Sequence, residues 1–366
     1  MSTRRPLGLE ALEDRLTPVT FGPGASYDAG NNGRDVAAGD LYGDGRDDVV
    51  FADFIAGAVV YLSDAAGNFV EISRRALTDP RRVRLADVDA DGKLDLIAAN
   101  GGNQQLFVSR GNGDGTFRTP LLFPTGGSNS LDVTVADFNG DGRLDAAVAN
   151  GGVRLFLNTG TAALFGSGVQ LTAGTGNDTV AAGDFNGDGA ADLVTGVYAG
   201  DRVRVLLNTN TGAGTFAAPV DYLLSWHGAE LETGDLDGNG RADVVVSYGN
   251  VATFAVLLAN LDGTLQPREE YTVLGSPSGI ALADYDLDGR LDVAVSDFNA
   301  SKALVYRNTG AGELTATGVQ VASGTNPSDI AVGDFNGDGR PDLASSNTTS
   351  PASPGSRPPT PATPVT

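Results

Sequence analysis

Between residues 131 and 171, apolar and polar positions alternate in four short bursts: "LDVTVAD", "LDAAVAN", "VRLFLNTG" and a run around "FGSGVQL". A period of two puts successive side chains on opposite faces of an extended backbone, so each burst reads as a β-strand. The first two bursts flank the acidic stretch "DFNGDGRLD", and a glycine-rich turn precedes the fourth. The same order returns about every 49 residues, the size of a four-stranded propeller blade.

The acidic stretch sets the period. Its pattern D-x-[D/N]-x-[D/N]-G-x-x-D starts at Asp40, Asp87, Asp137, Asp184, Asp235, Asp284 and Asp334, with spacings of 47, 50, 47, 51, 49 and 50 residues. This predicts an all-β fold over residues 19–346: a seven-bladed β-propeller of four-stranded antiparallel blades, closed into a ring that protects strand edges. "FGPGASYDAG" at 21–30 lines up with "FGSGVQLTAG" at 165–174, so the chain is expected to begin with a fourth strand. Residues 19–30 would then complete the last blade, beside residues 328–346. That blade is otherwise left incomplete, because a Ser/Thr/Pro-rich tail, 347–366, follows it; proline has no amide to give to a ladder, and the tail is expected to be disordered. Residues 1–18 read as a leader segment.

Composition narrows the function classes. The 51 glycines suit tight turns better than helices, and the absence of cysteine excludes disulfides and thiolate metal sites. No apolar run is long enough for a spanning helix, so no membrane insertion is expected. A net charge of -22 argues against nucleic acid as a partner, since counterion release needs clustered Lys and Arg. Half of the 46 acidic residues stand at loop positions, where bound dications would offset much of that charge.

The loops place oxygen donors at positions 1, 3, 5 and 9 around a glycine at 6. In the first loop these are Asp40, Asp44 and Asp48, with Tyr42 in place of the third-position donor, which makes it the weakest site. The second carries Asp87, Asp89, Asp91 and Asp95; the third Asp137, Asn139, Asp141 and Asp145; the fourth Asp184, Asn186, Asp188 and Asp192. The fifth carries Asp235, Asp237, Asn239 and Asp243; the sixth Asp284, Asp286, Asp288 and Asp292; the seventh Asp334, Asn336, Asp338 and Asp342. Carboxylate and amide oxygens with no His or Cys favour Ca2+ at up to seven sites. An EF-hand is excluded, because position 12 is Phe51, Ala98, Val148, Thr195, Val246, Val295 or Ser345, never the bidentate Glu. Asp, Asn and Gly are also ordinary turn formers; the sevenfold recurrence is what argues for ions. The apolar residues at position 2 (Leu41, Val88, Phe138, Phe185, Leu236, Tyr285, Phe335) read as anchors in the core.

On these residues the chain resembles FG-GAP/VCBS repeat proteins, the calcium-binding blades of integrin alpha subunits and many bacterial surface proteins. The loops "DFNGDGRLD", "DFNGDGAAD" and "DFNGDGRPD", followed by runs such as "VLLNTNTGAGTF", carry the resemblance over about residues 19–346. It implies a seven-bladed propeller with calcium in the loop between strands one and two. The opening "LGLEALEDRLTPV" also resembles a short leader of large secreted bacterial proteins, which points to an extracellular or cell-surface location.

Where the repeats diverge, specificity is expected. The loops between strands two and three, with the blade linkers, share the face opposite the acidic loops. They carry Phe54, Tyr198, Trp226, His227, Tyr248 and Phe298 in an expected exposed setting. Aromatic rings among polar neighbours suit a surface protein or a glycan as partner. The leading expectation is therefore an adhesion or interaction module. No catalytic residue is assigned: His227 is the only histidine, and no G-x-S-x-G elbow occurs. A polysaccharide lyase or hydrolase using acids such as Asp201 or Glu230 is the alternative.

Overall fold

The computed structural model describes Tyr27, Gly30, residues 32–127, 131–171, 173–197 and 200–348, and the strand Thr363–Val365. Each repeat folds into an antiparallel sheet in chain order. The first blade pairs Gly33–Gly39, Asp48–Asp53, Gly57–Ser63 and Phe69–Arg75 from the inside outward. Five more four-stranded blades follow, over residues 80–124, 132–171, 177–223, 230–272 and 277–322.

The expectation of seven four-stranded blades is corrected: among the described residues the chain forms six. The remaining sheet, between the sixth blade and the first, has three strands, Pro327–Gly333, Asp342–Asn347 and Thr363–Val365. Its third strand pairs at only three positions, Leu343 with Val365, Ala344 with Pro364 and Ser345 with Thr363. The proline-rich stretch before it offers no alternating run and few amides from which to build a longer ladder.

First strands lie innermost, each beside the first strands of its two neighbours, and Pro327–Gly333 lies beside Gly33–Gly39 to close the ring. The Val36 amide donates to Asp329 Oδ2 at 3.2 Å, the Asp47 amide to the Asp334 carbonyl at 3.0 Å, and the Asp334 amide to Asp47 Oδ2 at 2.9 Å. Most of residues 19–30, expected as the closing strand, lie outside the described residues, as do residues 1–18. Of that stretch, Tyr27 packs its ring on Tyr61 and Phe69 of the first blade, at centroid distances of 5.8 and 5.5 Å.

Second strands are buried along their whole length, while outer strands such as Phe69–Arg75 keep mostly exposed or half-buried residues. Apolar clusters form between neighbouring blades: Val88, Ile97 and Leu106 of the second meet Val133, Val148 and Phe156 of the third. Burying each such side chain contributes about 1.5–3 kcal/mol. All seven position-2 residues are buried, none more than 8 % exposed. A recurring asparagine fastens the blades further. Asn158 Nδ2 donates to the Val88 carbonyl of the preceding blade at 2.7 Å and to Leu144 at 3.0 Å; Asn208 and Asn308 repeat this with Phe138 and Leu236.

Candidate functional site

The acidic loops follow the inner strands and share one face. The position-1 carboxylate organises the turn: Asp137 Oδ1 accepts the amides of Gly140 at 2.7 Å and Asp141 at 3.1 Å, and Oδ2 accepts that of Gly142 at 2.7 Å. Gly142 sits at φ 82°, a left-handed conformation that explains the glycine at position 6. Ala90 and Leu287 take φ 57° and 59° at position 4, where the other loops have glycine.

Position 9 has a second duty. Asp145 Oδ2 accepts the Phe138 amide at 3.0 Å, and Oδ1 accepts the Asn158 amide of the third strand at 2.6 Å. The same pair of bonds occurs at Asp48, Asp95, Asp192, Asp243 and Asp292. Asp342, in the three-stranded sheet, keeps the amide of Phe335 at 3.2 Å and the side chain of Asn336 at 3.3 Å. Burial pushes all seven of these carboxyls up to about 6, against the pull of the amides. A nearby cation would reverse that push.

The donor set fits a hard cation. Ligand atoms of Asp87, Asp89 and Asp95, of Asp235, Asp237 and Asp243, and of Asp284, Asp286 and Asp288 lie within 4.8 Å of one another. Arginines lean on the same acids: Arg46 on Asp44, Arg143 on Asp141, Arg110 on Asp89 at 2.8 Å, and Arg307 on Asp286 at 2.5 Å. They show how strongly the loops attract positive charge.

The opposite end of the inner strands forms a funnel. Five residues before each loop's first aspartate stand Asp35, Arg82, Asp132, Thr179, Glu230, Gly279 and Asp329, one per sheet. Arg82 reaches four acids of this layer: Asp35 at 2.7 Å, Asp132 at 3.4 Å, Asp329 at 3.6 Å, and Glu230 in the closest contact. Asp35, Asp132 and Asp329 also accept the amide of the next inner strand, from Val83 at 2.5 Å, Val180 at 2.9 Å and Val36 at 3.2 Å. All five charged groups are buried. Burial, opposed by Arg82 and reinforced by Asp35, pushes Glu230 up to about 8; burial and the nearby Glu230 and Asp35 push Asp329 up as well. Sequence reasoning missed this layer, although "RDVAAGD", "LDVTVAD" and "SDIAVGD" carry its aspartates in one register.

Above the layer the funnel opens into a cavity of about 600 Å³. Its wall includes Arg34, Arg81, Asp178, Asn250, Phe298 and Asn299. The expected ligand face is partly gathered here. Phe298 lines the cavity; Phe54, 42 % exposed, lies under the Arg34 guanidinium at 5.2 Å; His227 stands 3.3 Å from Asn250, beside Trp226, which is 43 % exposed. Tyr248 is not an exposed loop residue. It is fully buried in the cluster joining blades four and five, with its hydroxyl 3.3 Å from Glu270, because the buried second strand carries its packing one residue past its end. Tyr198 lies outside the described residues. The two acids considered for catalysis do not meet: Glu230 is held by Arg82, and Asp201 is exposed and absent from the cavity wall.

The FG-GAP-like repeat model matches residues 40–98, 87–148, 146–195, 194–246 and 284–345. No curated protein is significantly similar to the chain. Among solved structures, a lectin of Agrocybe aegerita, described as recognising non-reducing terminal N-acetylglucosamine, is similar at 25% identity and TM-score 0.56, covering 76% of this chain and 79% of its own. The N-terminal part of BBS1 in complex with ARL6 superposes at TM-score 0.64 and 12% identity, covering 94% of this chain and 95% of that one. A protein from Lactobacillus plantarum does so at 0.63 and 18%, covering 83% and 89%.

Proposed function

Because the chain belongs to the FG-GAP-like repeat family, we propose that it is a calcium-stabilised, extracellular adhesion or interaction module. Its partner is a surface protein or a glycan, held at the funnel face. Calcium sits in the acidic loops, held by the carboxylates and amides at positions 1, 3 and 5 together with the remaining lone pairs of position 9. Bound there, it supplies charge compensation and ties the turns; at free calcium ten times Kd, each site adds about 1.4 kcal/mol. Millimolar calcium outside cells suits sites of modest affinity.

The observation that carries the binding reading is the cavity itself. There Phe298, Asn250, Asn299 and Arg34, contributed by different blades, converge on a concave, mixed polar and aromatic surface. The likeness to the lectin supports a glycan, and the complex of BBS1 with ARL6 supports a protein. Binding is favoured over turnover because two of the acids lining the cavity, Glu230 and Asp132, are engaged by Arg82.

The test is retention of the calcium-loaded protein on immobilised glycans and on cell-surface extracts, with Trp226→Ala and Phe298→Ala alongside. Retention lowered about tenfold in either variant, with unchanged thermal unfolding, is the expected result. Equal retention by wild type and both variants, or none on either support, would overturn the reading.

A further inference from the structure

The funnel mouth is electrically lopsided. In a chain of net charge -22, two guanidinium groups, Arg34 and Arg81, stand together on one wall. Arg81 is paired with Asp79 Oδ2 at 2.8 Å, but Arg34 has no carboxylate within ion-pair distance among the described residues. Its Nε is buried without a hydrogen-bond partner, and its ring contact is the exposed face of Phe54. Burial and the neighbouring Arg81 lower the Arg34 pKa, and the pull of Asp79 and Asp53 in the other direction does not cancel them. Folding has therefore placed a cation where it is partly dehydrated and repelled, at the lip of a cavity, with its fork free. A bound anion would relieve both costs.

We propose that Arg34, with Arg81 beside it, is a recognition point for a carboxylate of the ligand, and that this ligand is a uronate-bearing oligosaccharide. The inference rests on reading the funnel as a binding site. A sugar acid fits better than an acidic peptide because the rest of the wall suits pyranose rings. Asn250 and Asn299 are exposed; with Nδ2 held by His227 and Ser276, their carboxamide oxygens face vicinal hydroxyls, and Phe298 offers a ring for the C–H face. The cavity holds one or two rings. Arg82, the third cation nearby, is saturated by its four acids and adds no free donor. Asp132 and Glu230 are already engaged by Arg82, and Arg81 by Asp79, so Arg34 alone is left to anchor a carboxylate and a single acidic residue at the end of a chain is the expected form.

The experiment is calorimetric titration of the calcium-loaded full chain with a galactose trimer ending in a single galacturonate, a neutral galactose trimer and an Asp-rich hexapeptide, for wild type, Arg34→Gln, Arg34→Lys and Arg81→Gln. The acidic trimer is expected to bind at least tenfold more tightly than the neutral one. Arg34→Gln should erase that difference, Arg34→Lys should keep part of it, and raising the salt should shrink it. Both trimers binding equally, with no response to Arg34→Gln, would overturn the carboxylate point while leaving the funnel a sugar site. Tighter binding of the peptide than of either trimer would overturn the choice of ligand. Failure of all three to bind would remove the inference together with the funnel reading beneath it.

Discussion

The two faces of this propeller are built by opposite rules. On the loop face, one nine-residue pattern is repeated seven times: position 1 gathers the amides of its own turn in every loop, and position 9 fastens the third strand in the six four-stranded blades. On the funnel face, the equivalent position varies from sheet to sheet: aspartate at Asp35, Asp132 and Asp329, but Arg82, Thr179, Glu230 and Gly279 in the others. Repetition serves a job that every blade shares, holding a turn and a charge. Divergence serves a job that only the assembled ring can do, shaping one cavity from the unlike contributions of several sheets. The sheet with three strands belongs to the first rule in its loop and departs from it in its outer half, where among the described residues no third-strand amide reaches Asp342.

The comparison breaks most readily at position 9. Asp145→Ala leaves the Phe138 and Asn158 amides buried without an acceptor and is expected to cost about 3–5 kcal/mol in urea unfolding, in calcium and in chelator alike. The exposed Asp141→Ala in the same loop should cost under about 1 kcal/mol in chelator. A loss at Asp145 seen only with calcium would make that residue a ligand first and a strand tie second.

The funnel face should respond to pH instead. Arg82→Met strips the cation from four buried carboxylates and is expected to cost about 3–5 kcal/mol at pH 8. The Glu230 carboxyl is raised on folding, so its contribution is fully present below its unfolded value and is lost as the pH climbs through about 8. Removing Arg82 makes the ionised form costlier still, so the penalty should shrink towards pH 5, where Glu230 and Asp329 carry protons. Unfolding curves at the two pH values decide it; a penalty equal at both would mean that the cluster stays fully ionised.

The smallest effect belongs to the first loop. Tyr42, 55 % exposed, holds the position where the other loops carry an oxygen donor. Tyr42→Asp should raise calcium affinity there on the order of tenfold, read as one titrating site moving out of the weak class, with unfolding in chelator unchanged. If no site moves, third-position donors do not set affinity in these loops.

Much of this was legible because it is local. A period near 49 residues, strands of alternating polarity and a glycine at position 6 are dictated by backbone geometry within one repeat, and the buried position-2 residues follow from the same alternation. The count of complete blades was not legible. It turned on whether a fourth strand joins Asp342–Asn347, and strand pairing between distant segments leaves no periodic mark. Tyr248 was misplaced for a related reason, since its neighbours in sequence look like a loop while its neighbours in space are the apolar cluster of two blades. The recurring Asn158, Asn208 and Asn308 were visible as a motif, but their acceptors lie some seventy residues earlier in the chain.

By itself, then, the chain's pattern determined the blade, its acidic turn and the oxygen chemistry of that turn, because each depends on residues a few positions apart. Only the closed ring decided that Arg82 would meet four acids from four other sheets, and that Arg34 would stand unpaired at a shared mouth. Those encounters depend on how inner strands converge, and convergence is set by packing between blades, which no single repeat contains.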